Sequence, residues 1–343
     1  MYSFKNDYSE GFHPNILNAL IKSNLEQCEG YGNDKYSLKA IELLKEKFEL
    51  ENSDIHFFVG GTQTNLTAIS AFLRPYEAVI SAESGHVAVH ETGAIESTGH
   101  KVITTPSNDG KLYVDNIKSV LDTHTDEHMV YPKLVYISNP TEVGTIYTKV
   151  EIETLSNFCK ENKLIFYIDG ARLGCALCSN KNDLELADLG KLSDAFYIGA
   201  TKNGALFGEA LVICNDSLKD NFRFNIKQKG GLLAKGRALG IQFYELFKDN
   251  LYFELSTHAN KMAELLSNAI SSLGYKFLVD SNTNQLFPIL PNEIIGLLEE
   301  KYLFYRWEKV DSENTAIRLV TSWATSEDKV NDFIKDIKNF TKE

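Results

Sequence analysis

Four short stretches carry residues whose types and spacing suit chemistry on one small molecule. In Ala195-Phe-Tyr-Ile-Gly-Ala-Thr-Lys-Asn-Gly204, the β-forming run Phe196 to Ile198 leads into turn residues around a single lysine. An amine at the mouth of a buried strand is partly desolvated, which lowers its pKa and suits Lys202 to act as a Schiff-base nucleophile. Gly60-Gly61-Thr62-Gln63-Thr64-Asn65 follows another strand and opens a helix, so its N–H groups and hydroxyls suit one phosphate. The absence of GxGxxG and of a Walker lysine argues against dinucleotides and nucleoside triphosphates. In Tyr167-Ile-Asp-Gly-Ala-Arg172, Asp169 ends an apolar strand where it would face a cationic nitrogen, with Arg172 as a nearby donor. Ser84-Gly85-His86 sets His86 in a strand-to-helix loop, where an imidazole stacks on a planar ring or moves a proton.

Each stretch also has an ordinary reading when taken singly. Lys202 would be a surface loop lysine, the glycine run a tight turn, Asp169 a helix N-cap, and His86 a structural histidine with His90 one turn on. Together they describe a pyridoxal phosphate site, in which the acid keeps the pyridine nitrogen protonated so that the ring accepts electrons.

The elements that would position these groups alternate. Strands are expected at Ile55 to Val59, Ala78 to Ser81, Lys101 to Thr104, Leu134 to Ser138, Leu164 to Ile168, Phe196 to Ile198 and Ala210 to Cys214. Helices are expected at Asn65 to Leu73, Val87 to Ser97, Val114 to Leu121 and Glu151 to Asn162, after an N-terminal pair near Asn15 to Asn24 and Lys39 to Leu50. This order predicts an α/β fold, a mostly parallel sheet with helices on both faces and the site at the C-terminal strand ends. Past residue 240 the pattern changes to a long helix, Leu251 to Leu273, with strands at Tyr275 to Val279, Leu286 to Leu290 and Ala316 to Val320. Helices at Asn292 to Lys301 and Lys329 to Phe340 complete it. The reading is a large cofactor-binding domain, residues 1–245 including the N-terminal segment, and a smaller α+β domain, residues 246–343.

At 343 residues, 43% hydrophobic and 24% charged, the chain can bury a large core. A net charge of -12 disfavours nucleic acid or an anionic membrane as partner. No membrane span or signal peptide is expected, and the five irregularly spaced cysteines match a cytoplasmic protein better than a disulfide framework. Cys175-Ala-Leu-Cys178 is a lone CxxC, read as two buried small residues on a helix, and no metal site is expected.

Tyr31-Gly-Asn-Asp34, Gly61-Thr62, Ser84-Gly-His86, Asp169-Gly-Ala-Arg172, Thr201-Lys-Asn-Gly204 and Ile317-Arg318 together resemble the low-specificity L-threonine aldolases, fold-type I pyridoxal phosphate enzymes of aspartate aminotransferase-like architecture. The resemblance spans most of the chain. It implies that Lys202 holds pyridoxal 5'-phosphate, Asp169 pairs with the ring nitrogen, His86 stacks on the ring, and Gly61, Thr62 and Lys227 bind the phosphate. Arg172 would lie near the ring hydroxyl and substrate, Arg318 would clamp the substrate carboxylate, and Ser9 and Tyr31 would add substrate contacts. The implied reaction is cleavage of L-threonine or L-allo-threonine, and of relatives such as phenylserine, to glycine and an aldehyde. A homo-oligomer with shared sites, commonly a tetramer, and a role in glycine formation follow from the same resemblance. Two departures stand out: Ser138-Asn-Pro-Thr-Glu142 replaces a motif that carries a second histidine, and His90 stands where tyrosine is common. They leave His86, His90 or a water as the base for the β-hydroxyl. The alternatives are a β-eliminating lyase or an aminotransferase; a nicotinamide dehydrogenase or a non-catalytic cofactor binder would be a different class.

Overall fold

The computed structural model describes residues 1–341. Strands β1 (Tyr2–Ser3), β2 (Asp54–Phe58), β3 (Glu77–Ala82), β4 (Val102–Thr105), β5 (Tyr131–Ser138), β6 (Ile165–Asp169), β7 (Ala195–Gly199) and β8 (Glu209–Ile213) form in chain order. Seven of them make the main sheet, ordered β2-β8-β7-β6-β5-β3-β4. Only β8 is reversed, since it pairs antiparallel with both β2 and β7 while the other pairings are parallel. The interior strands are buried on both faces, which explains their unbroken apolar runs. On β5 to β7, Val135, Ile137, Phe166, Ile168, Phe196 and Ile198 pack into one core. Their neighbours Leu134, Tyr136, Ile165, Tyr167, Ala195 and Tyr197 pack into the other. The period of two thus sends successive residues to opposite helical layers.

The chain reverses its direction of travel across the sheet between β3 and β5. Such a switch point opens a crevice outside the carboxyl ends of the strands. His86 follows β3 at this point, while Glu142 follows β5, Asp169 ends β6, and Lys202 follows β7. Where β6 and β7 leave the sheet their backbones nearly touch: a Cβ on Gly170 would lie 1.9 Å from the Tyr197 carbonyl oxygen. Glycine is required there by close approach.

A third core is built from the long helix Leu251–Ser272, the helices Asn292–Glu299 and Glu327–Phe340, and short strands β9 (Gln285–Leu286), β10 (Ile289–Pro291), β11 (Tyr302–Leu303), β12 (Tyr305–Lys309) and β13 (Asn314–Val320). Leu251, Tyr252 and Leu255 belong to the large core, whereas Met262, Leu266 and Ile270 belong to the third, so the long helix is shared. At the N-terminus β1 pairs in parallel with β11, and Phe4 is buried in this third core. The first residues therefore pack with the C-terminal unit, whereas the sequence reading placed them with the large domain.

Several expected elements differ. The helix expected over Val87 to Ser97 forms only at His86–Val89, with a 3₁₀ turn at Glu96–Thr98, because Thr92 (φ 53°) and Gly93 (φ 70°) are left-handed and break the ladder. Tyr275 to Val279 makes only an isolated bridge, Phe277 to Pro288. The strand expected over Leu286 to Leu290 is split into β9 and β10, with Pro288 between them lacking an N–H to donate.

Candidate active site

Asp169 is the buried centre of the site. Its Oδ1 accepts from the Tyr197 hydroxyl at 2.5 Å and the Ala171 N–H at 3.0 Å, and its Oδ2 from the Tyr136 hydroxyl at 2.6 Å and Asn65 Nδ2 at 3.0 Å. Burial alone would raise the carboxyl pKa, but the positive charge of His86 and these hydroxyl and amide donors outweigh it and hold the acid below its usual range. An anion is therefore kept at the end of an apolar strand. The four donors already use the about four acceptor directions a carboxylate offers, so a cationic nitrogen could bind there only in place of one of them. Tyr136 has an alternative acceptor in Ser138 Oγ, 3.3 Å away.

His86 Nδ1 lies 2.8 Å from Glu91 Oε1, and Asn65 Nδ2 reaches the same oxygen at 2.7 Å. Burial would lower the imidazole pKa, yet the Glu91 bond and the charge of Asp169 raise it overall, so His86 is held toward the cation. Glu91 is fully buried and its Oε2 has no partner among the described residues. The ligand atoms of His86, Glu91 and Asp169 lie within 4.8 Å of one another, a grouping a metal ion could also use. Here they form a hydrogen-bonded network, with Asn65 Nδ2 bridging the two acids.

Above this floor is a cavity of about 470 Å³ lined by His86, His90, Glu142, Arg172, Lys202 and Arg318 among others. Burial and then the charge of Arg172 push the Lys202 amine toward its neutral form, while Asp7, Glu209 and Asp169 oppose. Glu209, tied to the Thr201 hydroxyl at 2.9 Å, is pushed upward by its own burial. Arg172 is gripped by Asp7 through two bonds, Nε–Oδ2 at 2.6 Å and Nη2–Oδ1 at 3.0 Å. Among the described residues Arg318 has no such counter-ion: Nη2 donates to Gln285 Oε1 at 2.6 Å, and the guanidinium sits 5.4 Å from the Trp307 ring centroid. Its Nε is buried without a partner among the described residues. Burial and the nearby Arg172 lower its pKa to about 10, which leaves it charged at neutral pH. Two guanidiniums face one cavity and only one is neutralised, so an anionic ligand group is favoured.

Gly61 and Thr62 start the helix Gly61–Phe72 directly after β2, where the first N–H groups lack intrahelical acceptors. A Cβ on Gly61 would lie 2.9 Å from the Tyr197 hydroxyl that binds Asp169, which ties this helix start to the Asp169 network. Of the expected residues, Gly61, Thr62 and Asp169 belong to the floor network and the helix start beside the cavity, while Ser9, Lys227 and Tyr31 are not among its lining residues. Ser9 bonds Asn6 at 3.0 Å, although its neighbour Tyr8 is a lining residue. Lys227 lies 4.6 Å from the ring centroid of Tyr31, and both sit on another part of the surface. Gln63 Nε2 donates to the Lys229 carbonyl at 3.1 Å, linking the glycine turn to the segment that carries Lys227. Cys175 is buried on a short helix and Cys178, its C-cap, is only half-buried; both thiols are free.

Sequence reading overlooked Asp7, Asn65, Glu91, Tyr136, Tyr197 and Gln285. Asn65 and Tyr197 lie within the glycine and lysine stretches, but the roles of all six arise from contacts between distant segments. Glu142 was noticed only as part of a departure.

The family model for the beta-eliminating lyases matches residues 11–292. A low specificity L-threonine aldolase of Pseudomonas sp. is 31% identical over 343 residues, covering 98% of this chain and 96% of its own. The solved structure of a threonine aldolase from Leishmania major superposes with a TM-score of 0.98 at 53% identity, covering 99% of this chain and 100% of that one. An aspartate aminotransferase from Thermus thermophilus, at 15% identity, 99% and 91% coverage and TM-score 0.73, shares the fold. The expected aminotransferase-like α/β architecture is thus the observed one.

Proposed function

This chain belongs to the beta-eliminating lyase family, and on that footing we propose that it is a pyridoxal 5'-phosphate-dependent carbon–carbon lyase. It cleaves L-threonine and L-allo-threonine, and related β-hydroxy-α-amino acids such as phenylserine, to glycine and an aldehyde. The observation that carries this reading is one cavity holding a desolvated lysine, an unneutralised arginine and histidines above a buried ionised aspartate.

The donor set fits the cofactor: an amine kept toward neutrality, an anion at a strand end and a helix N-terminus nearby. When bound, pyridoxal phosphate supplies the sink for the electron pair released as the Cα–Cβ bond breaks. Lys202 is its attachment point, Asp169 holds the ring nitrogen cationic, and His86 presents its ring, fixed by Glu91. Gly61 and Thr62 would bind the phosphate, and Lys227 would have to leave the Tyr31 ring to join them, on a segment that the Gln63–Lys229 bond ties to the glycine turn. Arg318 grips the substrate carboxylate as a planar fork, which orients Cα–Cβ for cleavage. Arg172 adds a substrate contact from the cavity wall, Ser9 would join only by leaving Asn6, and Tyr31 would act on a neighbouring subunit's site. His86 is less favoured to take the β-hydroxyl proton, because the Glu91 bond and the charge of Asp169 hold its ring toward the cation, which has no lone pair to offer.

We assign residues 1–245 to cofactor binding and 246–343 to a smaller domain; the separate third core supports the division except at its edges, where Phe4 joins that core and Leu251 to Leu255 join the large one. The same reading makes the protein a cytoplasmic homo-oligomer, dimer or tetramer, in which Tyr31 reaches a neighbouring site. Leu17, Ile21 and Leu25 support the oligomer: at spacings of four they leave an apolar stripe exposed on and beyond the helix Pro14–Ser23. No described helix is long and apolar enough to cross a membrane.

A substrate panel of threonine, allo-threonine, phenylserine and serine, with aldehyde and pyruvate assayed separately, tests the activity. Aldehyde with glycine is expected; pyruvate, or transfer of the amine to an oxo acid, would identify the β-eliminating or aminotransferase alternative.

A further inference from the structure

The cavity contains one carboxylate whose aim is already set. Glu142 lies in the loop after β5 and lines the cavity with Lys202, His90 and Arg318. Its Oε1 accepts from the Ser138 hydroxyl at 2.7 Å and from the backbone N–H of His86 at 3.1 Å. Among the described residues no protein donor reaches Oε2. A side chain pinned at one oxygen by two donors from different strand ends, and open at the other, is preorganised to act on a ligand.

We propose that Glu142 Oε2 is the base that takes the proton from the β-hydroxyl of the substrate. This rests on the aldolase reading and names the group that completes it. The O–H bond breaks and its electron pair becomes the C=O π bond of the aldehyde as the Cα–Cβ bond breaks. The pair from that bond is left on Cα, which gains a proton to become glycine. One proton leaves oxygen and one joins carbon, so no water and no oxidant are consumed.

Electrostatics favour Glu142 over His90, the other free acceptor. Burial disfavours a charged His90, and His86, Arg318, Arg172 and Lys202 all oppose placing a further positive charge there. Glu142 becomes neutral on taking the proton. Its carboxyl pKa is raised by burial and by the charge of Asp169, with Ser138 and His86 opposing, which moves it toward the range of a working base. The groups whose titration or charge bears on Glu142 are Asp169 at the end of β6, His86 on its short helix, Arg172, and the hydroxyls of Tyr136 and Tyr147.

The test compares the wild-type holoenzyme with Glu142→Gln, which keeps an oxygen for Ser138 and His86, and with His90→Asn. Three quantities are read: kcat and KM for threonine across pH, exchange of the glycine Cα proton with D2O, and the melting temperature of the cofactor-free protein. Glycine exchange involves no β-hydroxyl. For Glu142→Gln, kcat for cleavage should fall about 100-fold, the low end of general-base effects, with KM changed less than about threefold and the acid-side limb of the pH profile lost. Glycine exchange and apoprotein melting should match the wild type. Full cleavage by Glu142→Gln, an equal loss of glycine exchange, or loss of the limb in His90→Asn alone would each overturn the assignment. Wild-type protein that exchanges glycine but releases no aldehyde would overturn the aldolase reading itself, and this proposal with it.

Discussion

Arg172 and Asp7 are joined by a two-pronged ion pair, 2.6 Å and 3.0 Å, across 165 residues of sequence. Asn284 Nδ2 adds a third donor to the aspartate at 2.9 Å. Burial would raise the Asp7 pKa, but the charges of Arg172 and Lys202 hold it low. The N-terminal segment is thereby fastened to the cavity wall, and Arg172 is held in place beside Arg318. Replacing Asp7 by Asn leaves the Arg172 charge buried without its partner, which costs about 3–5 kcal/mol. Urea unfolding of Asp7→Asn should show a loss of that size, together with a raised KM. An unchanged midpoint would mean that the pair contributes nothing.

Arg318 should behave as a carboxylate fork that a point charge does not replace. Arg318→Lys is expected to lower kcat/KM for threonine at least tenfold, about 1.4 kcal/mol of transition-state binding. Apoprotein melting should change less than activity, since Nε has no partner to lose among the described residues and a lysine ammonium still offers a donor for Gln285 Oε1. Equal kcat/KM values would remove Arg318 from substrate binding.

The His86–Glu91 contact makes a prediction with a definite sign. The folded imidazole pKa is raised, so its contribution to stability is full below the unfolded value of about 6.5 and is lost as pH rises through the folded value. Asp169 has the opposite pattern: its folded pKa is lowered, so its contribution is present above the unfolded value of about 3.9 and fades as pH falls through the folded one. Unfolding curves of wild type and His86→Gln apoprotein should therefore differ more at pH 5.5 than at pH 8.5, pH values chosen to bracket roughly the histidine range. A constant difference would contradict the raised imidazole.

Gly170→Ala should be strongly destabilising for a purely steric reason. The added Cβ falls 1.9 Å from a backbone oxygen that a flexible side chain cannot move aside. The strand ends carrying Asp169 and Lys202 would have to separate, so a loss of more than about 3 kcal/mol is expected by thermal or urea unfolding. Near-wild-type stability would contradict the close approach.

The alternation from residue 55 to 214 was legible because buried parallel strands are continuous apolar runs and their helices are amphipathic. Lys202, Asp169, Gly61 and His86 were legible because each sits at a strand end or beside a turn. The C-terminal unit was harder to read. β12, Tyr305–Lys309, is a mostly exposed edge strand with no apolar alternation to mark it. The helix Arg237–Lys248 went unread, although it buries Leu239, Phe243 and Phe247. Val87 to Ser97 looked helical by composition, yet left-handed backbone at Thr92 and Gly93 decides otherwise. Asp7, Glu91 and Asn65 matter only through partners far away in sequence, which no periodicity reports. Glu142 was visible as a substitution in a motif, and only its bonds to Ser138 and the His86 N–H give it an aim.

The central claim is that Lys202 anchors the cofactor for carbon–carbon cleavage. Its most direct test is to measure glycine and acetaldehyde released from L-threonine by wild-type protein and by Lys202→Ala, both supplied with pyridoxal phosphate. Equimolar products from the wild type are expected, with turnover in Lys202→Ala reduced by about a thousandfold or more, as for removal of an activated nucleophile. Full turnover by Lys202→Ala with an unaltered visible cofactor band would contradict it.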